Sequence, residues 1–247
     1  MGACRPGDHG SAAQAFGNLV QLTMDGWHPD LSELPAAFPV FPLTGALLLP
    51  HGKLPLHIFE PRYKAMVEDA LADQRVIGMV QPDPGLPDGP DGPGLFRVGC
   101  LGRLSSFSET GDGRYLIALT GLIRFRVGAE IEGRRGYRRV AADFAGFEAD
   151  LDPQVGALPQ RQTLLGALRA YFTANGFDAN WAAIEGMDDN ELVVTLAMVC
   201  PFEAVEKQAL LQAADASARV ETLVTLLQMG AHGAGDGLAA GGSRSVS

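Results

Sequence analysis

The feature that most constrains this chain is a change in its hydrophobic period. Between residues 95 and 147 apolar residues tend to alternate with polar ones, and from about Gly156 they recur at helical spacing. Alternation puts successive side chains on opposite faces of a strand, whereas the longer period makes one stripe along a helix. A chain that reads strands first and helices second segregates its elements, and this predicts an α+β fold.

In the strand half, Phe96 to Phe107 and Arg114 to Thr120 flank Thr110-Gly111-Asp112-Gly113, a hairpin signal. Along Leu122 to Val127, Ile123, Phe125 and Val127 share one face, with Arg124 and Arg126 on the other. Tyr137 to Phe147 follows as a further strand after the turn Gly133-Arg134-Arg135-Gly136. Consecutive strands on short connections predict an antiparallel sheet, curled into a barrel to remove its edges.

Upstream lie three short apolar runs: Phe38 to Leu43, Ala46 to Leu49 and Leu54 to Phe59. Prolines 39, 42, 50 and 55 interrupt them, so any strands there must be short, at an edge or bulged. Pro61 suits a first helical position, and Tyr63, Met66, Val67, Ala70 and Leu71 make the stripe of the helix it opens. Arg75 to Val80 reads as a strand, and residues 82–94, rich in Pro, Gly and Asp, as an exposed loop.

In the helical half, Leu158, Leu164, Leu165, Leu168, Tyr171 and Phe172 make one stripe. Asp178 is the expected cap of a short helix carrying Trp181 and Ile184. Asp188 with Glu191 opens the next, which buries Leu192, Val193, Leu196 and Val199 and ends at Pro201. Val205, Ala209 and Leu210 belong to another, and Asp215 opens the last, with Val220, Leu223, Val224 and Leu227 inward. Such helices on short turns predict a compact bundle. The expected boundaries are 1–37 irregular, 38–150 β-rich, 151–229 helical and 230–247 a disordered Gly- and Ser-rich tail. Met24 is an alternative start, which would make residues 1–23 an extension.

Composition narrows the function classes. The net charge is −10, yet residues 97–139 hold nine arginines against four acids. Overall acidity argues against general nucleic-acid binding, while the arginine-rich segment keeps a local anionic contact open. No apolar run is long enough to span a membrane or form a signal-peptide core. Cys4, Cys100 and Cys200 are too few and too widely spaced for a disulfide framework, so free thiols in the cytoplasm are expected.

No catalytic constellation emerges. Gly45 to Lys53 superficially resembles a phosphate loop, but the glycine spacing is wrong and Leu54 follows Lys53 where a hydroxyl should reach magnesium. His9, His28, His51, His57 and His232 lack helical pairing, so no metal or cofactor is expected, although His51 and His57 could meet across a turn. Lys64 and Lys207 read as solvated helix faces, Cys100 as core, and Ser105, Ser106 and Ser108 as solvent-facing. Arg134, Arg135, Arg138 and Arg139 cluster around one turn with Tyr137 as the sole nearby aromatic. They are either a solvated charged hairpin or an RNA or anion contact.

One stretch is more specific. Phe41-Pro42-Leu43, Leu49-Pro50-His51-Gly52 and Leu54-Pro55-Leu56-His57-Ile58-Phe59-Glu60-Pro61-Arg62-Tyr63 resemble the opening of the substrate-binding amino-terminal domain of Lon proteases. Val76 to Val80, Arg97 to Arg103, Asp112 to Tyr115 and Leu119 to Val127 then follow in that family's order. Glu206 to Leu211, with Arg219, resembles the family's last helices, so the likeness spans about residues 38–229.

The resemblance implies a PUA-like β pseudo-barrel followed by a helical bundle. It implies no proteolysis, because the ATPase motifs and the Ser–Lys pair of full-length Lon have no counterpart here. It points to a non-enzymatic module for unfolded or apolar polypeptide, an adaptor or quality-control factor alongside a protease or chaperone. The alternative is RNA or anionic-ligand binding through the barrel and Arg134, Arg135, Arg138 and Arg139. The candidate peptide groove or corner residues are Pro55, His57, Phe59, Glu60, Arg62 and Tyr63. Phe59, ending a strand just before a helix, is expected to be a buried corner whose truncation would leave a cavity costing about 3–5 kcal/mol.

Overall fold

The computed structural model describes residues 29–152, 158 and 160–240. Cys4, His9, His28, Met24, Gly156 and residues 241–247 lie outside the described residues. The strands are β1 (Ala37–Pro42), β2 (Lys53–Ile58), β3 (Val76–Val80), β4 (Val98–Glu109), β5 (Tyr115–Arg134) and β6 (Tyr137–Asp143). The α-helices are α1 (Pro61–Ala72), α2 (Arg161–Asn175), α3 (Trp181–Gly186), α4 (Asp189–Val199), α5 (Ala204–Gln212) and α6 (Ala216–Ala240). Short 3-10 turns lie at Leu31–Glu33 and Glu148–Leu151. The α+β class and the strands-then-helices order are as expected.

The six strands run β2-β5-β4-β3-β1-β6, and β6 pairs again with β5. The second pairing is possible because β5 is long. Its first half pairs with β2 and its second half, Arg126 to Arg134, with β6. The alternating runs 114–120 and 122–127 therefore form one continuous strand, not two. Leu122 is the extra residue where the register with β4 shifts, between the pairs Leu101–Ile123 and Gly102–Gly121. Such a bulge bends the strand and helps it turn a corner of the barrel. Gly121 sits at this corner because a Cβ there would lie 2.0 Å from the Leu49 carbonyl oxygen.

Two expectations about the sheet need correction. The barrel is mixed, because β1 and β3 pair in parallel, with Val40 opposite Gly78. Between them the chain makes β2 and the whole of α1, the kind of crossover that returns a strand in the same direction. The run Ala46 to Leu49 is not a strand. Gly45, at φ 75°, and the turn at Pro50 and His51 isolate it from any ladder. Leu47, Leu48 and Leu49 are nevertheless almost fully buried, packing with barrel and bundle side chains in one cluster. A second cluster fills the barrel, where Phe38 meets Phe125 edge to face at 4.8 Å.

In the bundle, the Asp188 and Asp215 carboxylates accept from the amides of Glu191 and Ala218, as their caps predict. The short helix is capped by Asn180, which accepts from the Ala183 amide, rather than by Asp178. The helix starts two residues later than the sequence signal suggested, and the residue beside its first turn takes the cap. The last helix runs on to Ala240, past residue 230 where a disordered tail was expected.

A polar knot joins the two halves. Arg124, buried on β5, donates to both carboxylate oxygens of Asp150 at 2.8 Å and to the carbonyls of Leu211 and Ala213. Arg219 donates to the Leu210 carbonyl. These carbonyls end α5 and lack partners within it, so two guanidinium groups cap the helix's negative end. Lys207 is buried too, reaching the Gly45 carbonyl at 2.7 Å. That corrects its reading as a solvated face: the barrel loop covers its side of α5.

Candidate functional site

The most specific run of the sequence turns the chain from β2 into α1. Glu60 takes the N-cap position with extended backbone, and Pro61 is the first helical residue. The Glu60 carboxylate pairs with Arg62 at 2.9 Å, both half exposed, so this pair adds little stability. Tyr63 turns inward, its ring 4.3 Å from that of Phe41 and beneath the Arg62 guanidinium.

Phe59 does not turn inward. It is 62% exposed, with its ring 6.2 Å from that of His57. The expected cavity cost is therefore wrong for this side chain. The burial of Ile58 at 2% shows why: alternation along β2 sends residue 58 to the core and residue 59 to the surface. Pro55 and His57 lie exposed at the same alternation. His51 and His57 stand at opposite ends of β2 and are too far apart to share a ligand.

Two of the four hairpin arginines, Arg134 and Arg135, face α1. Arg135 and Gly136 both have positive φ, 49° and 85°, which makes a tight two-residue turn between β5 and β6. From this turn Arg135 reaches Glu68 at 2.8 Å and Asp69 at 3.0 Å, and Arg134 reaches Asp69 at 3.3 Å. Tyr137 donates to Asp69 and Tyr115 to Glu68. The bonds from Arg135 and Tyr115 hold the Glu68 carboxyl below its ordinary value. Burial pushes Asp69 up, but the bonds from Tyr137 and Arg135 outweigh it and leave the carboxyl lowered. Burial and the bond to Asp69 push Tyr137 up to about 12. Arg138 pairs with Glu130 and donates to the Pro93 carbonyl at 2.7 Å. Arg139 lines a hollow with Arg75 and Arg134. Arg134 and Arg135 are thus committed to acids of α1, because the hairpin lies against its polar face, and Arg138 is committed to Glu130 of its own hairpin.

Members of the two candidate sets flank the start of α1, Phe59 with Arg135, and Arg62 and Tyr63 with Arg138, whereas Arg134 and Arg139 border a hollow at its far end. On one side, Phe59, Pro61, Lys64, Ala65, Glu68, Gly113 and Arg135 border an open hollow of about 560 Å³. Lys64 spans its floor, donating to the Gly113 carbonyl with its ammonium over the Tyr115 ring. On the other side, Arg62, Tyr63, Tyr137 and Arg138 border a smaller hollow beneath the 82–94 loop. Two residues that sequence reasoning missed, Phe107 at 42% and Leu116 at 46%, are exposed on opposite faces of the neighbouring ribbon of β4 and β5, Phe107 being paired with Ile117 and Leu116 with Ser108. Their alternation was legible, but not which face would stay uncovered.

The surroundings offer little nucleophilic or metal chemistry. Burial pushes the Cys100 thiol up, and raises that of Cys200 to about 12. Among the described residues no three His, Cys, Asp or Glu side chains gather as a metal site. No described helix is long and apolar enough to cross a membrane.

Residues 37–229 match the family model of the ATP-dependent protease La (LON) substrate-binding domain. The chain belongs to the Lon substrate-binding domain family. Among curated relatives, the Lon protease of Anaeromyxobacter dehalogenans is 33% identical over 101 residues, which is 38% of this chain and 11% of that protein. The Lon protease of Escherichia coli K12 is 23% identical over 204 residues, covering 81% of this chain and 26% of its own. The chain thus aligns with only a minor part of these relatives. In fold it is similar to the Lon N-terminal domain protein from Xanthomonas campestris, with a TM-score of 0.55 and 23% identity, covering 76% of this chain and 97% of that one. The N-terminal domain of a Mycobacterium avium complex Lon protease gives a TM-score of 0.53 at 15% identity, covering 77% and 97%.

Proposed function

We propose that this Lon-family domain is a non-enzymatic module that recognises exposed apolar segments of polypeptide, acting in the cytoplasm as an adaptor or quality-control factor beside a protease or chaperone. The observation that carries this reading is Phe59: a large apolar side chain, 62% exposed, at the mouth of an open hollow in the most specific stretch of the sequence. Exposed aromatic anchors beside a hollow are where binding energy concentrates at protein interfaces. Leu116, opposite His57 in the ladder, adds exposed apolar surface on the His57 face of the sheet. The seam between barrel and bundle is filled by Leu47 to Leu49, Lys207 and Gln208, which favours the Phe59 hollow as the binding surface.

The test is Phe59→Ala. Binding of a fluorescently labelled, chemically unfolded polypeptide should weaken roughly 5- to 30-fold, the loss of an anchor worth about 1–2 kcal/mol. The urea midpoint should stay within error of the wild type. Unchanged binding would remove Phe59 from the site. RNA binding through the hairpin has less support, because Arg134, Arg135 and Arg138 are already paired. A steep loss of RNA affinity between low and physiological salt would revive it.

A further inference from the structure

Closing the barrel leaves one strand with a free side. Among the described residues β1, β3, β4, β5 and β6 each pair with at least two strands, whereas β2 pairs with β5 alone. The ladder fixes which main-chain groups of β2 face outward. The Gly121 amide donates to the Gly52 carbonyl at 2.8 Å, so the bonded pairs continue at two-residue steps through Leu54–Leu119 and Leu56–Ile117. Pro55 agrees with this phase, because it lies opposite Ala118 and has no N–H to give. The carbonyls of Lys53, Pro55 and His57 and the N–H of His57 therefore turn away from β5.

The chemistry of this edge selects its partner. A row of main-chain acceptors with a donor among them is matched by another extended main chain, and not by a helix, whose own groups are already bonded. The side chains beside the edge are largely apolar. Leu54 and Leu56 point to the core side yet are only partly buried, so apolar side chains of an added strand would complete their burial. On the other side Pro55 and His57 are exposed, Leu116 stands opposite His57, and Phe59 follows directly after the strand. A second copy of β2 is a poorer fit than a foreign segment. Each copy would bring Pro55 to a six-residue ladder, so a self-paired edge lacks two donors where a foreign segment lacks one.

We infer that the free side of β2 takes an extended apolar segment of polypeptide as an added strand, with Phe59 at its end as the side-chain anchor. The inference rests on the polypeptide-binding reading above. It adds main-chain pairing to the contact at Phe59.

A backbone scan tests it. The probe is a fluorescent twelve-residue apolar peptide, read by anisotropy on the full chain, together with the same peptide carrying one backbone N-methyl group at each position in turn. N-methylation removes an N–H and changes no side chain. An added strand turns alternate N–H groups to β2, so losses of roughly two- to tenfold, the range of one hydrogen bond, should recur at every second position of the paired stretch. Pro55→Val supplies the missing donor and should tighten the unmodified peptide by a similar factor. His57→Pro removes the N–H that turns away from β5 and should weaken it, with the urea midpoint close to that of the wild type. Should His57→Pro fail to fold, the scan on the wild type decides alone. If the scan shows no alternation while Phe59→Ala still weakens binding, the added strand is wrong and the broader reading stands. If the wild type binds no apolar polypeptide, both fall. A wild type that sediments as a dimer and is split by His57→Pro would make the edge a self-interface and overturn the inference.

Discussion

At the scale of residues, the largest energetic stakes lie in the buried knot between barrel and bundle. Asp150 is the carboxylate that faces Arg124, and Arg219 lies within the same electrostatic neighbourhood. Burial, and then the nearby Arg124, lower the Arg219 guanidinium to about 10, and its Nη2 has no partner among the described residues. The cluster therefore has one more positive charge than it can pair. Removing the acid should be far worse than removing the surplus base. Asp150→Asn is expected to cost about 3–5 kcal/mol, because it strands a buried cation. Arg219→Met should cost less, about 1–2 kcal/mol, because the gain from removing a surplus buried charge is offset by stranding the Leu210 carbonyl that it caps. Urea denaturation of both variants checks the order, and equal losses would contradict the charge count.

At the scale of elements, β5 does the most to organise the molecule. It pairs with β4 from Tyr115 to Arg126, with β2 at its start and with β6 at its end, bending at the bulge beside Gly121. Gly121→Ala should destabilise by about 1–3 kcal/mol, since the new Cβ would press on the Leu49 backbone, which cannot swing aside like a side chain. A thermal or chemical midpoint equal to the wild type would show that the corner is softer than its geometry suggests. The hairpins at both ends of β5 grip α1: Tyr115 and the Gly113 carbonyl hold one side, while Arg134, Arg135 and Tyr137 hold the other. The apolar stripe of α1 was legible from period alone. Its polar grips were not, because they join residues far apart in sequence.

At the scale of the whole molecule, three lowered carboxyls tie stability to pH. Glu68 and Asp69 sit between the hairpins, and Asp189 is held low by the Leu158 amide and Arg161. Each folded value lies below the unfolded one, near 4.5 for Glu and 3.8 for Asp. Their contribution is thus fully present above those values and is lost as pH falls through the folded ones. The urea midpoint should be flat from about pH 7 to 5 and fall towards about pH 3. Asp69→Asn should flatten that fall while lowering the plateau. An acid slope unaffected by this substitution would move the effect to other groups. Salt should weaken the exposed Arg135–Glu68 pair more than the buried Arg124–Asp150 pair.

The sequence by itself determined the order of the elements, the segregation of strands from helices, the corner at Glu60 and Pro61, and the caps at Asp188 and Asp215. These are local matters of period, proline geometry and nearby backbone groups. Only the tertiary structure decided that Phe59 stays outside, that Arg124 and Lys207 go inside, that β1 and β3 run in parallel, and that Arg134, Arg135 and Arg138 face acids of their own chain. Each depends on what covers a given face. The covering groups come from far away: Lys207 meets Gly45 across 162 positions, and Arg124 meets Leu211 across 87. Periodicity shows which side chains share a face, but whether that face meets water, a helix or a partner is fixed when distant elements pack.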